Sequence, residues 1–241
     1  MRLNNKNVLV TGAAKRIGRI LSLFIARQGG DVLIHHNNSI AEAISLQNDI
    51  EELGQKAVIY QADFSDHEST EIFIDQVFGH NEIDAVINNA SIFSDLDWAT
   101  TDIEDWRIHQ SINLETPFRI IQSFAKSLKE GKKGKIINML DWRALKPGAD
   151  HLPYTISKAG LAALTKALAI SLAPEISING IALGAILPPN DGPAFDSVIE
   201  GLPIPRWATI PELEETVMFL LAGPDYITGE IIHLDGGRHL V

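Results

Sequence analysis

NVLVTGAAKRIG, residues 7–18, is the stretch that decides the fold. The apolar run NVLV leads into a turn bracketed by Gly12 and Gly18, and a helical pattern begins inside that turn. Backbone N–H groups at the start of such a helix can hold an anion, and the same arrangement binds the pyrophosphate of dinucleotides. The stretch therefore predicts a strand, a tight turn and a helix that together form an anion site.

Six further apolar, β-branched runs follow along the chain. They read DVLIHH, KAVIYQAD, IDAVINNA, KGKIINML, SINGIAL and EIIHLDGG. Apolar residues at three- and four-residue spacing between them predict helices over 17–28, 40–53, 66–79, 102–130, 154–173 and 211–222. This alternation predicts an α/β protein with a doubly wound Rossmann fold, in which a seven-stranded parallel sheet is flanked by helices.

Length and composition narrow the classes of protein that fit. A chain of 241 residues with 45% hydrophobic composition predicts one domain over 1–241, and the absence of cysteine excludes disulfides and thiolate chemistry. The net charge of −11 argues against nucleic acid and anionic membranes as partners. We find no secretory or membrane-spanning pattern and no metal site, and we expect a cytoplasmic protein.

One segment has the composition of a long loop. Residues 184–210, GAILPPNDGPAFDSVIEGLPIPRWATI, contain five prolines and three glycines between the sixth strand and the last helix. Loops of this length in a compact domain usually cover or bind a ligand. We interpret 184–210 as a substrate loop.

The end of the second predicted strand indicates which dinucleotide binds. NAD requires an acidic residue there for its ribose, but HHNNS provides only donors, and Lys15 and Arg16 add positive charge from the first turn. Such a set suits a 2′-phosphate, and we predict NADP(H). One alternative is a glycine-containing turn that binds no ligand, because Arg16 occupies the usual position of a third glycine. Another is that Lys15 and Arg16 form a solvated patch and the histidines lie in an exposed turn.

Two further strand ends complete the predicted cofactor groove. Asp63 closes YQADF and can accept from an adenine amino group, and NNAS at 88–91 can line the floor beneath the riboses. Each is also compatible with ordinary turn chemistry. The predicted cofactor-binding residues are Gly12, Arg16, Ile17, Gly18, His35, Asn37, Asn38, Ser39, Asp63, Phe64, Asn89, Ala90, Ser91, Tyr154 and Lys158.

A tyrosine and a lysine have the spacing of a proton-donating pair. Tyr154 and Lys158 are four residues apart, so both lie on one face of the predicted helix. We expect the lysine charge to lower the pKa of the phenol and to let it donate a proton at neutral pH. Neither Tyr60 nor Tyr226 has a lysine at that spacing. The alternative is a buried tyrosine beside a lysine that reaches the surface.

The order of these motifs resembles one enzyme family over essentially the whole chain. TGxxxxIG, NNA, the asparagine of SINLETPF, YxxxK and a closing LDGG resemble the short-chain dehydrogenase/reductase family. Within it, TGAAKRIG, HHNNS, NNASIF, NMLD and LDGGRHL resemble the pteridine reductases and bacterial dihydromonapterin reductases. The resemblance implies NADPH-dependent reduction of a dihydropterin of the dihydromonapterin or dihydrobiopterin type, by hydride transfer to a C=N bond.

The resemblance also assigns roles. Asp141 stands where most of the family has a serine, and a carboxyl there suits the nitrogens of a pterin better than the oxygen of a ketone. Asn113 would steady a water that links Lys158 to solvent, and Phe93 would stack on the pterin. Without the resemblance, a turn role would be favoured for Asp141 and a core position for Phe93. The implied catalytic residues are Asp141, Tyr154, Lys158 and Asn113, and the implied substrate residues are Arg16, Ser91, Phe93, Asp141 and Tyr154.

This chain departs from the family pattern at some positions, and two other functions fit the same motifs. The family commonly has Pro-Gly after the sixth strand, whereas this chain has Leu183-Gly184. The family often forms homotetramers in which a neighbour's C-terminus approaches the site, so Arg238 is either such a residue or a surface arginine. The rival functions are a reductase of ketones, such as 3-oxoacyl thioesters or sugars, and a non-catalytic NADP(H) sensor.

Overall fold

The predicted parallel sheet is confirmed by the computed structural model, which describes residues 3–188 and 196–241. Seven strands form one sheet in the order β3-β2-β1-β4-β5-β6-β7, and every neighbouring pair is parallel. The strands are β1 (Asn7–Val10), β2 (Asp31–His36), β3 (Ala57–Gln61), β4 (Ala85–Asn88), β5 (Gly134–Asp141), β6 (Ile176–Leu183) and β7 (Ile231–Leu234).

Helices connect the strands close to the predicted positions. They are α1 (Arg16–Arg27), α2 (Ile40–Glu52), α3 (His67–His80), α4 (Ile103–Gln110), α5 (Thr116–Ser127), α6 (Leu152–Leu172) and α7 (Ile210–Ala222). The prediction of one helix over 102–130 was wrong in its continuity. A π-helical turn, Ser111–Glu115, separates α4 from α5 and contains Asn113. Such turns are rare and concentrate at functional sites, and hydrophobic spacing does not reveal them.

The strand order reverses between β1 and β4, which lie side by side at the middle of the sheet. The chain leaves β1 toward β2 and β3 on one side, and β4 continues toward β5, β6 and β7 on the other. A crevice forms beyond the strand ends where the crossovers diverge, and ligands of open α/β sheets bind there. TGAAKRIG follows β1, NNAS begins with the last residue of β4, and NMLD forms the end of β5 beside it.

Both faces of the sheet are covered, which explains the uninterrupted apolar runs of its strands. Leu9 packs on one side with Phe73 and Phe124, and Val10 packs on the other with Leu21 and Ile25. A buried amide pair, Asn88 and Asn138, bridges β4 and β5, and Asn138 also donates to Thr165 of α6. The polar pair fixes α6 against the centre of the sheet.

Helix α6 is long and rich in apolar residues. By length and composition alone, one helix among the described residues could cross a membrane, and it is α6. The same helix packs against β5 and β6 and contains Tyr154 and Lys158, both buried. Core helices of α/β proteins have this composition because one side faces the sheet.

The predicted substrate loop is described in part, since residues 189–195 lie outside the described residues. Gly184 donates its N–H to Leu234 O, and a Cβ there would lie 2.6 Å from Cα of Asp235. The glycine after Leu183 is therefore required by close contact with the end of β7. Beyond the gap, Ile204 N–H donates to Gly236 O and Ala208 N–H to Ala185 O. The described parts of the loop lie against the ends of β6 and β7.

The close packing of the first turn can be tested with two alanine substitutions. A Cβ at Gly18 would lie 2.1 Å from the carbonyl oxygen of Gly12, so we expect Gly18→Ala to destabilise the protein by about 2 kcal/mol or more. Gly79, in α3, has no atom within 4 Å of such a Cβ, and Gly79→Ala should be neutral or stabilising by up to about 1 kcal/mol. Chemical denaturation measures both; equal effects would contradict the interpretation of the turn.

Candidate active site

Asp141, Tyr154 and Lys158 meet where β5 ends and α6 begins. Asp141 is the last residue of β5, and Tyr154 and Lys158 lie one turn apart near the start of α6, where they are 7% and 3% exposed. The Tyr154 hydroxyl donates to the Asp141 carboxylate. The Nζ of Lys158 lies 5.8 Å from the centroid of the Tyr154 ring and donates to Met139 O at 2.8 Å. The predicted trio is brought together.

The pKa of the Asp141 carboxyl is raised above the ordinary value of an aspartate. Burial raises its pKa, which outweighs the lowering effects of the Arg143 backbone N–H, of the Arg143 and Lys158 charges and of the Tyr154 hydroxyl. Asp141 also caps the short turn Trp142–Ala144 by accepting from Arg143 N–H at 2.8 Å. The turn role considered from sequence is therefore present, and it coexists with the contact to Tyr154.

The expected effect of Lys158 on Tyr154 was wrong. The pKa of Tyr154 lies well above its usual value, because the ring is buried and because the Asp141 carboxylate opposes a second negative charge beside it and accepts the phenol's hydrogen bond. Burial also lowers the pKa of Lys158 to about 8, against the raising effect of Asp141. Sequence spacing put the lysine beside the tyrosine but did not show that the carboxylate is the stronger influence.

Asn113 holds the site together through its side chain. It is fully buried in the π-helical turn, and its amide donates to Ile92 O at 3.2 Å and to Ser157 Oγ at 3.0 Å. Its oxygen accepts from the Ile92 N–H and from the Ser91 hydroxyl, each at 3.0 Å. The side chain thus ties the loop after β4 to α6 beside Lys158. A role for Asn113 in steadying a water linked to Lys158 stays a prediction.

Phe93 lies at the mouth of the site with 54% of its surface exposed. Its ring meets Tyr154 edge-on, with centroids 4.6 Å apart, and one face is stacked on His151 at 3.9 Å. Sequence reasoning missed His151 and also missed Arg143, whose Cζ is 5.7 Å from the Phe93 centroid. Their only sequence signal was a position between Asp141 and Tyr154, which were predicted to be catalytic.

Close contacts hold the turn after β1 to the loop after β4. Gly12 has φ +60°, and a Cβ there would lie 3.0 Å from Cα of Ala90. The Asn89 amide donates to Thr11 O at 2.9 Å and to Gly12 O at 3.2 Å, and the Thr11 hydroxyl accepts from the N–H groups of Asn89 and Ala90. Gly18 and the partly buried Ile17 continue the turn into α1. This narrow floor is where a dinucleotide would lie in the fold.

The structure corrects the prediction for His35. Its side chain is buried, with Nδ1 accepting from Gly12 N–H at 3.0 Å and Nε2 donating to Ala62 O at 3.2 Å. The ring stacks on Phe64 at 3.9 Å, and burial lowers the pKa of His35 to about 3. Both ring nitrogens are occupied by backbone, so His35 and Phe64 support the glycine turn from below and do not offer a donor to a phosphate.

The remaining residues predicted for the ribose end lie near the end of β2. Asn37 contacts the Asp63 carboxylate. The pKa of Asp63 is lowered, and the hydrogen bond from the Ser65 hydroxyl is the largest cause. Ser39 precedes α2 without capping it, and Asn38 is exposed. Nε2 of His36 is buried with no hydrogen-bond partner among the described residues. Lys15 forms an ion pair with Glu42 at 2.9 Å. The residues after β2 and in the first turn therefore include hydrogen-bond donors for a phosphate, but Lys15 is already paired with the Glu42 carboxylate.

Arg16 occupies the glycine position of the turn in a glycine-like conformation. Its φ is +48°, in the left-handed region that side chains rarely adopt. The side chain donates to Pro188 O at 3.1 Å and so reaches the start of the substrate loop. Arg16 therefore adopts the backbone conformation that a third glycine would have, and its side chain extends from the turn to the loop.

Arg238 lies against its own chain. Its Nη1 donates to Val198 O at 2.8 Å, and its Cζ is 4.5 Å from the centroid of Trp142, which is adjacent to Asp141. Arg238 is thus neither a free surface arginine nor, in the single chain, remote from the site. No group of three or more histidine, aspartate or glutamate side chains among residues 3–188 and 196–241 has an arrangement that could hold a metal ion.

The chain belongs to the short-chain dehydrogenase family, whose model matches residues 6–197. It is 28% identical over 98% of its length, and over the whole of the relative, to a 3-oxoacyl-[acyl-carrier-protein] reductase of Staphylococcus epidermidis. Among solved structures it resembles the FolM alternative dihydrofolate reductase 1 of Brucella canis complexed with NADP, with 34% identity, a TM-score of 0.93 and coverage of 100% and 97% of the two chains. The blue fluorescent protein from a metagenomic library in complex with NADPH is 30% identical with a TM-score of 0.90 and coverage of 98% and 99%.

Strain at Arg16 predicts an order of stability between two variants. Both Arg16→Gly and Arg16→Ala remove the contact with Pro188, but only glycine adopts a positive φ without steric cost. We expect the glycine variant to be more stable than the alanine variant by about 1 kcal/mol in chemical denaturation. An alanine variant of equal or higher stability would show that the left-handed conformation carries no strain.

The Asp141 charge predicts how Tyr154 ionises. In Asp141→Asn the negative charge beside the phenol is gone, so its pKa should fall and tyrosinate absorbance should develop at lower pH than in wild type. Subtracting the titration of Tyr154→Phe isolates the Tyr154 signal, and Asp225→Asn, which removes an exposed carboxyl paired with Lys135, is the matched control. An unchanged Tyr154 titration in Asp141→Asn would contradict the coupling.

Proposed function

We propose that this member of the short-chain dehydrogenase family reduces a dihydropterin to a tetrahydropterin with NADPH. The substrate class is of the dihydromonapterin or dihydrobiopterin type. One observation carries the proposal: the mostly buried carboxyl of Asp141 contacts Tyr154 at the position where most of the family has a serine. A ketone needs a hydroxyl donor for its oxygen, whereas a pterin presents ring nitrogens and an amino group that a carboxyl can serve as donor or acceptor.

The cofactor is NADP(H). No acidic side chain ends β2, and Asn37, Asn38 and Ser39 together with Lys15 provide donors for a 2′-phosphate. The N-terminus of α1 carries no acidic residue in its first turn and adjoins the close contact between Gly12 and Ala90. The Brucella canis and metagenomic relatives are complexes with NADP and NADPH. When bound, NADPH supplies the hydride that adds to the carbon of the C=N bond and leaves as NADP⁺.

The proton for the nitrogen of that bond comes from Asp141 through Tyr154. Because the pKa of Tyr154 is raised, loss of a proton to leave a phenolate beside a carboxylate is unfavourable. Tyr154 therefore donates its proton as it accepts the one on Asp141, whose pKa burial brings closer to neutrality. The Asp141 side chain is 17% exposed, which lets solvent reprotonate it.

Lys158 and Phe93 position the reactants. The Lys158 ammonium uses one donor on Met139 O, and its remaining donors suit a ribose hydroxyl at the cofactor end of the site. The half-exposed ring of Phe93, held edge-on by Tyr154 and supported by His151, provides a flat apolar surface for a planar heterocycle. Stacking of this kind contributes about 1 kcal/mol beyond area burial. Ser91 and Arg16 border the same space from the loop after β4 and from the first turn.

The test is NADPH consumption with dihydromonapterin, dihydrobiopterin and dihydrofolate beside 3-oxoacyl thioesters and simple ketones. We expect turnover of a dihydropterin and a loss of about 100-fold or more in kcat for Asp141→Ser and Tyr154→Phe, since positioned proton donors contribute at least that much. Asp225→Asn is the control and should retain wild-type rates. Turnover of ketones alone, with a faster rate in Asp141→Ser, would overturn the proposal.

The second candidate is a ketone reductase, and a specific observation favours it. The Staphylococcus epidermidis relative, a 3-oxoacyl-[acyl-carrier-protein] reductase, matches nearly the whole chain at 28% identity. Against it stands Asp141 in place of the serine donor. A non-catalytic NADP(H) sensor, the third reading, would bind NADPH and turn over none of these substrates, although the Tyr154–Lys158 pair is intact.

A homotetramer in the cytoplasm completes the proposal. Ile156 and Ile170 of α6 are 41% and 84% exposed in the single chain, and Phe118 of α5 is also exposed. Apolar side chains on adjacent helices are consistent with burial against further copies of the chain. Light scattering coupled to size exclusion measures the oligomeric state directly.

A further inference from the structure

Arg143 joins two carboxyl groups that frame the catalytic segment. Its guanidinium, 15% exposed, donates to Asp150 through Nη2 at 2.7 Å and through Nε at 3.5 Å. Its Nη1 lies 3.8 Å from Oδ1 of Asp141, the oxygen that also accepts from the Arg143 backbone N–H. A single side chain thus links the end of β5 to the residues that start α6.

The same guanidinium contacts the aromatic rings around the substrate space. Its Cζ is 4.6 Å from the centroid of Trp142 and 5.7 Å from that of Phe93. Asp150, its anchor, is followed by His151, which has φ +49° and stacks on Phe93 while bonding Ser94 O at 2.8 Å. The planar, permanently charged fork of an arginine can satisfy these contacts together, whereas a lysine can supply only the charge.

An ion pair made only for stability would not need this arrangement. Asp150 is 47% exposed, and pairs with such exposure contribute little to folding. Another nitrogen of the same guanidinium, Nη1, lies 3.8 Å from the Asp141 carboxyl, which is mostly buried and hydrogen-bonded to the catalytic tyrosine. The position of the charge therefore matters more for Asp141 than for the fold.

We propose that Arg143 is a positioning residue of the active site: anchored by Asp150, its fixed charge orients the Asp141 carboxyl and governs when that carboxyl holds a proton. Its plane also supports Trp142 and Phe93 beside the substrate. The effect on the carboxyl depends only on the contacts described, and its consequence for turnover rests on the proposed function.

The charges that face Asp141 determine the sign of the expected changes. Tyr154 and Lys158 face it from α6, Arg143 faces it from its own turn, and Arg238 lies close enough from the C-terminal turn to interact with it. Of these, Arg143 and Lys158 lower the pKa of Asp141 by their charges, while burial raises it. Removing Arg143 leaves burial less opposed and raises the pKa. Neutralising Asp150 leaves the Arg143 charge less compensated and lowers it.

The experiment follows the Asp141 carboxyl by NMR with ¹³C-labelled aspartate, assigned by the resonance missing from Asp141→Asn. We expect Arg143→Gln to move its titration to higher pH by about one unit, the effect of losing an opposite charge at this distance. Asp150→Asn should move it to lower pH. Arg27→Gln, which removes a surface pair with Glu214, is the matched control and should leave the titration in place.

Arg143→Lys separates the charge from the shape of the side chain. It should keep the Asp141 titration near that of wild type but raise KM for the substrate by about tenfold, because the support of Trp142 and Phe93 is lost. In Arg143→Gln the limb of the kcat profile that reports Asp141 should move upward in pH with the NMR titration. Thermal unfolding and NADPH fluorescence confirm that each variant folds and binds cofactor.

The outcomes separate the two proposals. If Arg143→Gln and Asp150→Asn both leave the titration unchanged, or shift it in the same direction, the positioning role is overturned. If the shifts are opposite but wild type reduces no dihydropterin, the positioning role stands and the proposed function fails. If Arg143→Lys behaves like Arg143→Gln in the titration, a structural role replaces an electrostatic one and the proposal is overturned.

Discussion

The contact between the turn after β1 and the loop after β4 is the constraint on which the site depends. Thr11 and Asn89 join the two segments by hydrogen bonds, and Gly12 lets them approach because a Cβ would meet Cα of Ala90. The loop after β4 is in turn joined to α6 through Asn113, whose side chain accepts from the Ser91 hydroxyl and donates to Ser157. The anion-binding end and the proton-donating end of the crevice are therefore held at a fixed separation by the same central strands, which a hydride-transfer reaction requires.

Electrostatics at the other end of the crevice depend on one carboxyl. Burial and the Asp141 carboxylate together raise the pKa of Tyr154, while burial raises the pKa of Asp141 itself and lowers the pKa of Lys158 to about 8. In a site with a serine instead, the carboxylate charge beside the phenol would be absent, so burial would still raise the pKa of Tyr154 while the Arg143 charge would lower it.

The fold was predictable because its signals are local and repeated. Seven apolar runs alternating with helical spacing leave few topologies, and the motifs at strand ends fall at one edge of a parallel sheet. The grouping of Asp141, Tyr154 and Lys158 in one site could also be predicted from the sequence. The sequence could not show that His35 faces inward, since burial of a ring depends on Phe64 and Phe73 beneath it. Nor could it show the π-helical turn around Asn113, or the upward shift of the Tyr154 pKa, which depends first on burial of the ring and then on the Asp141 carboxylate beside it.

Backbone strain marks the site independently of any motif. Among the described residues, three that are not glycine have a positive φ, and two of them, Arg16 and His151, border the crevice from opposite ends. Each conformation is unfavourable by about 1–2 kcal/mol and persists only where surrounding contacts impose it. In each case the strained residue extends a polar side chain toward the substrate space: Arg16 to Pro188 at the loop, and His151 onto Phe93. A glycine would remove the strain at both positions and would also remove both side chains, so the strain is best explained by what those side chains do.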